Sequence, residues 1–231
     1  MKTNIFKLLT TLVIGAFLLS SCLKDDLQSP RIPQAGFSMV NIFSSSTFLI
    51  NKADNNYIQT MNNPLRFKEI NFIYLYPGNR NLETFDDKNN LILDSTFTIK
   101  DSLLYTSFIF NKTKDLAAQQ LVEDKLLNTD ESNAAFRFLN FSYDKLKIDL
   151  YSDDKKIIED RNFDGNALNL ENFQFTNIHS GEHTFVVKDK NNLPIIQKEV
   201  NLKSHIHYSL MLIKNSLNDQ YELLITDQYR N

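Results

Sequence analysis

The sequence predicts an all-β fold made of two tandem immunoglobulin-like β-sandwiches, on three observations. Its two halves repeat each other, the repeated unit consists of short apolar or alternating runs, and polar turn clusters separate those runs. Self-similarity at a fixed period decides architecture before local propensity does, so the repeat is weighed first. Gly36-Phe37-Ser38-Met39-Val40-Asn41 matches Ala135-Phe136-Arg137-Phe138-Leu139-Asn140, with Asn at the same place. Asp87-Lys88-Asn89-Asn90-Leu91 returns as Asp189-Lys190-Asn191-Asn192-Leu193, and Tyr76-Pro77-Gly78 aligns with His179-Ser180-Gly181. Tyr105 before Phe108-Ile109-Phe110 aligns with Tyr208 before Met211-Leu212-Ile213. The separation stays between 99 and 103 residues, which places one sandwich over 35–128 and the second over 129–231.

Each element follows from pattern. Phe37–Val40, Leu146–Leu150, Thr184–Val187 and Tyr208–Ile213 are rich in aromatic and β-branched residues and read as strands. Asp189-Lys190-Asn191-Asn192 lies between Val186-Val187 and Ile195-Ile196 and closes a hairpin, because Asn tolerates positive φ. Gly78 and Gly181 precede strands at equivalent places, as a turn that a side chain would obstruct requires. Leu116–Val122 has good helix formers after Thr113 or Asp115, yet its counterpart Tyr221–Asp227 reads as a closing strand. The repeat overrides propensity here, predicting a strand over Gln120–Asp124 and leaving a short helix at Leu116–Gln119 as the alternative. Short strands at this spacing, about 95 residues per copy, indicate a two-sheet sandwich.

Ahead of the repeats, Lys2 and Lys7 precede an uncharged run from Leu8 to Leu19, and Leu19-Ser20-Ser21-Cys22 follows. The run is 12 residues, short of the roughly 20 that a spanning helix needs. This layout resembles the bacterial lipoprotein signal. The resemblance implies loss of residues 1–21, a diacylglyceryl thioether on Cys22, acylation of the new amine, and a lipidated tether over 22–34. Several acyl chains together anchor a protein stably, where one holds it only marginally. Lys24, Asp25 and Asp26 resemble the surface-export tag of Bacteroidetes lipoproteins, which implies the outer face of the outer membrane. Leu27 to Ala35 carries two prolines and reads as an extended linker. Cys22 is the one cysteine, so no intrachain disulfide framework is expected.

A further resemblance rests on the opening Phe-x-Phe-x-Asn strand and on Asp149-Leu150-Tyr151 followed by a polar turn. It also uses Gly181-x-x-Thr-Phe-Val-Val-Lys-Asp and the late Tyr208-Ser209-Leu210 strand. These are similar to the DUF4397 family of extracytoplasmic β-sandwich modules, often in tandem on lipoproteins. Phe141-Ser142-Tyr143-Asp144 and Phe43-Ser44-Ser45-Ser46 stand where that family usually carries Pro-Asp-Ala-Pro-like residues. The resemblance implies a fold and carries no functional residues across.

Removing residues 1–21 takes Lys2 and Lys7 from the 25 basic residues, leaving 23 against 28 acids. A mildly acidic, mixed balance lacks the concentrated basic patch that nucleic acid binding requires. The sequence has no Gly-x-Ser-x-Gly turn, no His-Glu-x-x-His and no phosphate-cradling glycine loop, and lipidation removes Cys22 as a nucleophile. The pairs Asp25-Asp26, Asp86-Asp87 and Asp153-Asp154 sit in turn or tether segments, where adjacency does not supply converging carboxylates. No catalytic residue and no cofactor is therefore expected.

His205 and His207 are the leading metal-ligand candidates, since period-two alternation would set both imidazoles on one strand face, with His179, His183 or a carboxylate completing the shell. The favoured expectation is that no metal binds and that both line an exposed face while Ile206 enters the core. Most of the 18 Phe are expected to fill two cores, while Tyr57, Tyr143 and Tyr151 are candidates for solvent-facing rings on which sugar could stack; the absence of Trp weakens that reading. Asp94-Ser95-Thr96 and Asp101-Ser102-Leu103 look like O-glycosylation acceptors of Bacteroidetes, at Ser95 and Ser102. The sequence thus predicts a surface lipoprotein held to the membrane by lipid, serving as a non-enzymatic binding module for a glycan or surface protein. A structural or adhesin subunit is the alternative, and a glycan-processing enzyme ranks third.

Overall fold

Strands make up nearly every element of the computed structural model, which describes residues 31–166 and 170–230. Cys22, Lys24, Asp25 and Asp26 lie outside the described residues. The first sandwich contains β1 (Ala35–Ile42), β2 (Phe48–Ala53), β3 (Asn56–Tyr57), β4 (Leu65–Arg66), β5 (Ile70–Leu75), β6 (Gly78–Phe85), β7 (Leu91–Ile99), β8 (Leu104–Asn111) and β9 (Ala117–Asp124). Its sheets run β5-β1-β8-β9 and β3-β2-β6-β7, with β4 paired to β2. The second contains β10 (Asn133–Phe141), β11 (Ile148–Ser152), β12 (Lys155–Arg161), β13 (Thr176–His179), β14 (Gly181–Asp189), β15 (Pro194–Leu202), β16 (Ile206–Lys214) and β17 (Tyr221–Arg230). Its sheets run β13-β10-β16-β17 and β12-β11-β14-β15. In each copy the first strand pairs in parallel with the penultimate one, β1 with β8 and β10 with β16.

The strand β9 starts at Ala117, so the helix alternative at Leu116–Gln119 is not formed. Pairing of β8 with β9 runs from Leu104–Asp124 to Asn111–Ala117, and cross-strand packing outweighs the helix propensity of alanine and glutamine.

Backbone landmarks show that the drift in repeat spacing is a single step. Asp54 and Asn55 (φ 49° and 68°) correspond to Asp153 and Asp154 (φ 49° and 65°), a separation of 99. From Gly78 and Gly181 onward (φ 116° and 124°) the separation is 103. The hairpin turns correct the sequence alignment by one residue, because Asp86 plays the part of Asp189. Asp86 N–H donates to Asn90 O and Asp189 N–H to Leu193 O, while Asn89 and Asn192 both adopt φ 63°. The repeated Asp-Lys-Asn-Asn string invites a match shifted from the true register. Both turns use an Asp carboxylate that accepts backbone N–H groups two and four residues on.

Among the described residues, buried phenylalanines occur in three apolar clusters, not two. Phe37, Met39, Leu49, Leu82 and Ile109 form the first sandwich's core, and Phe136, Phe138, Leu150, Phe185 and Leu210 the second's. The third joins Val40, Ile42, Phe108 and Phe110 of the first copy to Leu139, Phe141, Met211 and Ile213 of the second. These residues alternate with the core-facing ones, so β1, β8, β10 and β16 are buried on both faces. The near-continuous apolar runs Phe108-Ile109-Phe110 and Leu210–Ile213 follow from that burial, since a strand covered on both faces needs no polar side. Two 3-10 turns, Asp164–Asn166 and Leu170–Phe173, follow β12, and Phe163 and Phe173 wedge into the shared cluster. Phe110 stacks on Phe141 with centroids 4.5 Å apart. Fully burying one such side chain contributes ~1.5–3 kcal/mol, so this face fuses the copies. Pro33–Asn231 is accordingly one compact unit.

A buried polar knot orients the apolar joint. Arg137, 2% exposed, donates Nη1 to Asp124 Oδ1 at 2.6 Å and to Phe173 O at 2.8 Å. Its Nε bonds Ser209 Oγ at 2.6 Å and its Nη2 bonds Gln228 Oε1 at 2.7 Å. Asp124 Oδ2 accepts from Thr106 and, at 2.8 Å, from Tyr229 Oη. Burial and the Asp124 charge push the Tyr229 phenol well above its ordinary pKa, so it stays a donor. A buried pair with satisfied partners adds little net stability over apolar packing but penalises any other registration of the two surfaces.

Candidate functional site

The open edge of the first sandwich carries a groove of about 430 Å³ between its two sheets. Tyr74 and Tyr76 rise from β5 and the residue after it, and Tyr57 from β3 in the opposing sheet. The three rings are 61–64% exposed, an unusual concentration of solvent-facing aromatic surface. Alternation along β5 explains it, because Ile73 and Leu75 turn into the core and leave Phe72, Tyr74 and Tyr76 outside. Phe72 braces Tyr74 edge-on, with centroids 5.2 Å apart. Lys52 Nζ sits 4.7 Å from the Tyr57 ring centroid and 4.6 Å from that of Phe85, pinning Tyr57 from one face.

The polar floor is equally fixed. Arg80 Nη1 bonds Asp54 Oδ2 at 2.6 Å, its Nε bonds Tyr76 O at 2.8 Å and its Nη2 bonds Pro77 O at 2.6 Å. Asp54 Oδ1 accepts Asn81 N–H at 2.9 Å. The Arg80 hydrogen bond, followed by that of Asn81, holds the Asp54 carboxyl below its ordinary pKa, so the carboxylate is ionised at neutral pH. Gly78 at φ 116° allows the chain to fold back beneath the guanidinium.

The equivalent edge of the second sandwich keeps the scaffold and changes the chemistry. Asp153 Oδ1 accepts Thr184 N–H at 2.8 Å, and His183 replaces Arg80. His183 Nδ1 lies 2.9 Å from Asp153 Oδ2 and its Nε2 lies 2.8 Å from His179 O. Lys156, Asn177 and His179 occupy the places of Tyr57, Tyr74 and Tyr76, as the strand registers require. A depression of about 520 Å³ beside this edge, over β14 and β15, is lined by Asp153, Glu182, His183 and Glu199 and is acidic; Lys156, Asn177 and His179 do not line it.

The histidine candidates part company. His205 adopts φ 61° in the turn before β16, the position Ser102 holds in the first copy at φ 65°. His207 is fully buried on the joint between copies, which corrects the expectation that both would line an exposed face or share a ligating one. Its Nε2 accepts Leu127 N–H at 3.0 Å, tying down the segment that connects the sandwiches, and burial lowers its pKa. Among the described residues, no group of three or more His, Cys, Asp or Glu is placed to hold a metal ion.

The acid pairs within the described residues serve turns. Asp87 accepts the Thr47 backbone N–H and hydroxyl, Asp86 closes the first hairpin, and Asp154 is exposed beside Asp153. Of the flagged tyrosines, Tyr57 faces solvent. Tyr143 is half-buried, and burial together with its hydrogen bond to Asp219 pushes its pKa up to about 12. Tyr151 is half-buried with Lys188 Nζ 4.1 Å from its ring centroid. Ser95 lies half-buried within β7, and Ser102 is exposed in the turn before β8. Sequence reasoning missed Tyr74, Tyr76 and Arg80; the signal was Phe72-x-Tyr74-x-Tyr76, an alternation with aromatics on the polar side.

The chain matches no family model and no curated protein sequence. Among solved structures it is similar to the crystal structure of CBMbc, of family CBM26, from Eubacterium rectale Amy13K in complex with maltoheptaose. Identity is 8% and the TM-score 0.24, over 86% of this chain and 98% of that one. A likeness of that degree fixes no ligand.

Proposed function

We propose that the chain is an exported lipoprotein acting as a non-enzymatic binding module. Lipid on Cys22 tethers it to the outer membrane, Lys24, Asp25 and Asp26 direct it to the cell surface, and the edge groove of the first sandwich receives the ligand. The observation that carries the reading is the trio Tyr57, Tyr74 and Tyr76, exposed together on a rigid edge at positions where the sister copy has none. Large exposed aromatic surface costs solubility and is retained where it meets a partner. The lipoprotein part is supported by the Leu19-Ser20-Ser21-Cys22 motif behind its short apolar run.

Two measurements test it. Mature protein in detergent is used to capture material from native outer membrane, and a Tyr57→Ala/Tyr74→Ala/Tyr76→Ala variant is expected to lose most of that capture. Retention equal to wild type would move the site elsewhere. Cys22→Ala is expected to leave the protein unlipidated and free of the membrane; a variant that stays in the membrane fraction rejects the anchor.

A further inference from the structure

Resting on the groove reading above, we propose that the ligand is an uncharged glycan chain, bound by stacking of its sugar rings on Tyr57, Tyr74 and Tyr76 and by hydrogen bonds from its hydroxyls to the Asp54–Arg80 pair. Three properties of the groove select that chemistry. The first is charge. Asp54 and Arg80 neutralise each other at 2.6 Å, so the lining has no surplus charge to offer a polyanion or a polycation.

The second property is hydrogen-bonding capacity. Arg80 spends its Nε–H, one Nη1–H and one Nη2–H on Tyr76 O, Asp54 and Pro77 O, which leaves one proton on each terminal nitrogen. Each Asp54 carboxylate oxygen has one protein partner and a remaining lone pair. The pair is 26% and 36% exposed, so donors and acceptors sit side by side and reachable. Neighbouring sugar hydroxyls each donate and accept, and so match such a pair; an aliphatic ligand would leave it unmatched and desolvated.

The third property is rigidity. Tyr57 is pinned by Lys52, Tyr74 is braced by Phe72, and Arg80 is held at three points. A weakly attractive ligand made of repeating rings gains most from surfaces already ordered, since little entropy is lost on binding. Tyrosines on both sides of the groove, from β3 and from the end of β5, present rings to successive units of a chain.

The test uses mature protein in detergent on an array of neutral α- and β-linked glucans, mannans, xylans and N-acetylglucosamine polymers, with polygalacturonate and a proline-rich peptide alongside. Saturable binding to a neutral glycan is expected. It should weaken roughly tenfold in Tyr74→Ala, as loss of one ring contact implies. Tyr74→Phe should retain it, because the ring stays, and Asn177→Ala on the second copy should leave it unchanged. Tyrosine-dependent binding of the peptide or of polygalacturonate alone would overturn the glycan assignment and leave the groove as the site. Silence across the neutral glycans also overturns it. If membrane capture then survives the triple tyrosine variant, the groove reading falls with it.

Discussion

The two copies of one sandwich differ most at two places, the face where they meet and the edge each turns to solvent. At the meeting face, Ser38 of the first copy stands where the second has Arg137, and the divergence is complementary. Arg137 reaches Asp124 and Thr106 across the joint, while Ser38 bonds Tyr229 at 3.2 Å. At the outer edge both copies keep the Asp turn, yet tyrosines in one become lysine, asparagine and histidine in the other. Inner divergence locks the copies in one arrangement; outer divergence gives them separate surfaces. A duplication that only thickened the protein would need neither.

The largest effect that could break this comparison is at the joint. Arg137→Met leaves the Asp124 carboxylate buried without its guanidinium, and removing one partner of a buried pair costs ~3–5 kcal/mol. For a chain of this size that corresponds to a fall in Tm of roughly 10 °C. Arg80→Met, which cuts the partly exposed edge pair, should cost only ~0–1 kcal/mol. The double variant Arg137→Met/Asp124→Leu should recover much of the loss. Calorimetry showing equal losses for Arg137→Met and Arg80→Met would remove the distinction between joint and edge.

What is legible in the sequence follows the same division. The sandwich pattern can be read because alternation and turn chemistry are local, as the Asp189 hairpin and the paired Gly78 and Gly181 turns show. The joint cannot, because burial on a second face depends on what a strand meets after folding, and Phe108-Ile109-Phe110 has the same composition in either case. His207 is misplaced by pattern for that reason: a polar residue on an alternating strand reads as solvent-facing until a second sheet covers it. Tyr74 and Tyr76 escape notice because aromatic residues in strands are ordinarily core, and only the phase set by Ile73 and Leu75 puts them outside.

An intermediate effect separates the copies by pH. Burial lowers the pKa of His207, so the folded state keeps its imidazole neutral while the unfolded chain takes up a proton below about pH 6.5. The stability this group contributes is present above that value and is lost as pH falls toward the folded pKa, at up to about 1.4 kcal/mol per pH unit. Asp164, whose pKa burial raises, acts in the opposite sense, so the readout is a difference between variants. His207→Leu, which copies Leu104 at the matching place in the first sandwich, should flatten the loss of Tm between pH 7 and pH 5. An unchanged slope would mean that His207 is not what makes the joint acid-sensitive.

The smallest effect concerns whether the two edges are one scaffold. His183 reaches Asp153 and His179 O as Arg80 reaches Asp54 and Tyr76 O, so His183→Arg offers the same two contacts with a longer, planar donor. Asp153 is 53% exposed, and pairs with one partner open to solvent are worth ~0–1 kcal/mol, so the substitution should leave the denaturant midpoint nearly unchanged. The reverse change, Arg80→His, forfeits the bond to Pro77 O and should be the more costly of the two. Neither exchange should move ligand binding to the second copy, because Lys156, Asn177 and His179 supply no phenol rings there. A loss well above 1 kcal/mol in His183→Arg would mean that the second edge is built around imidazole itself, and that its shared geometry with the first is superficial.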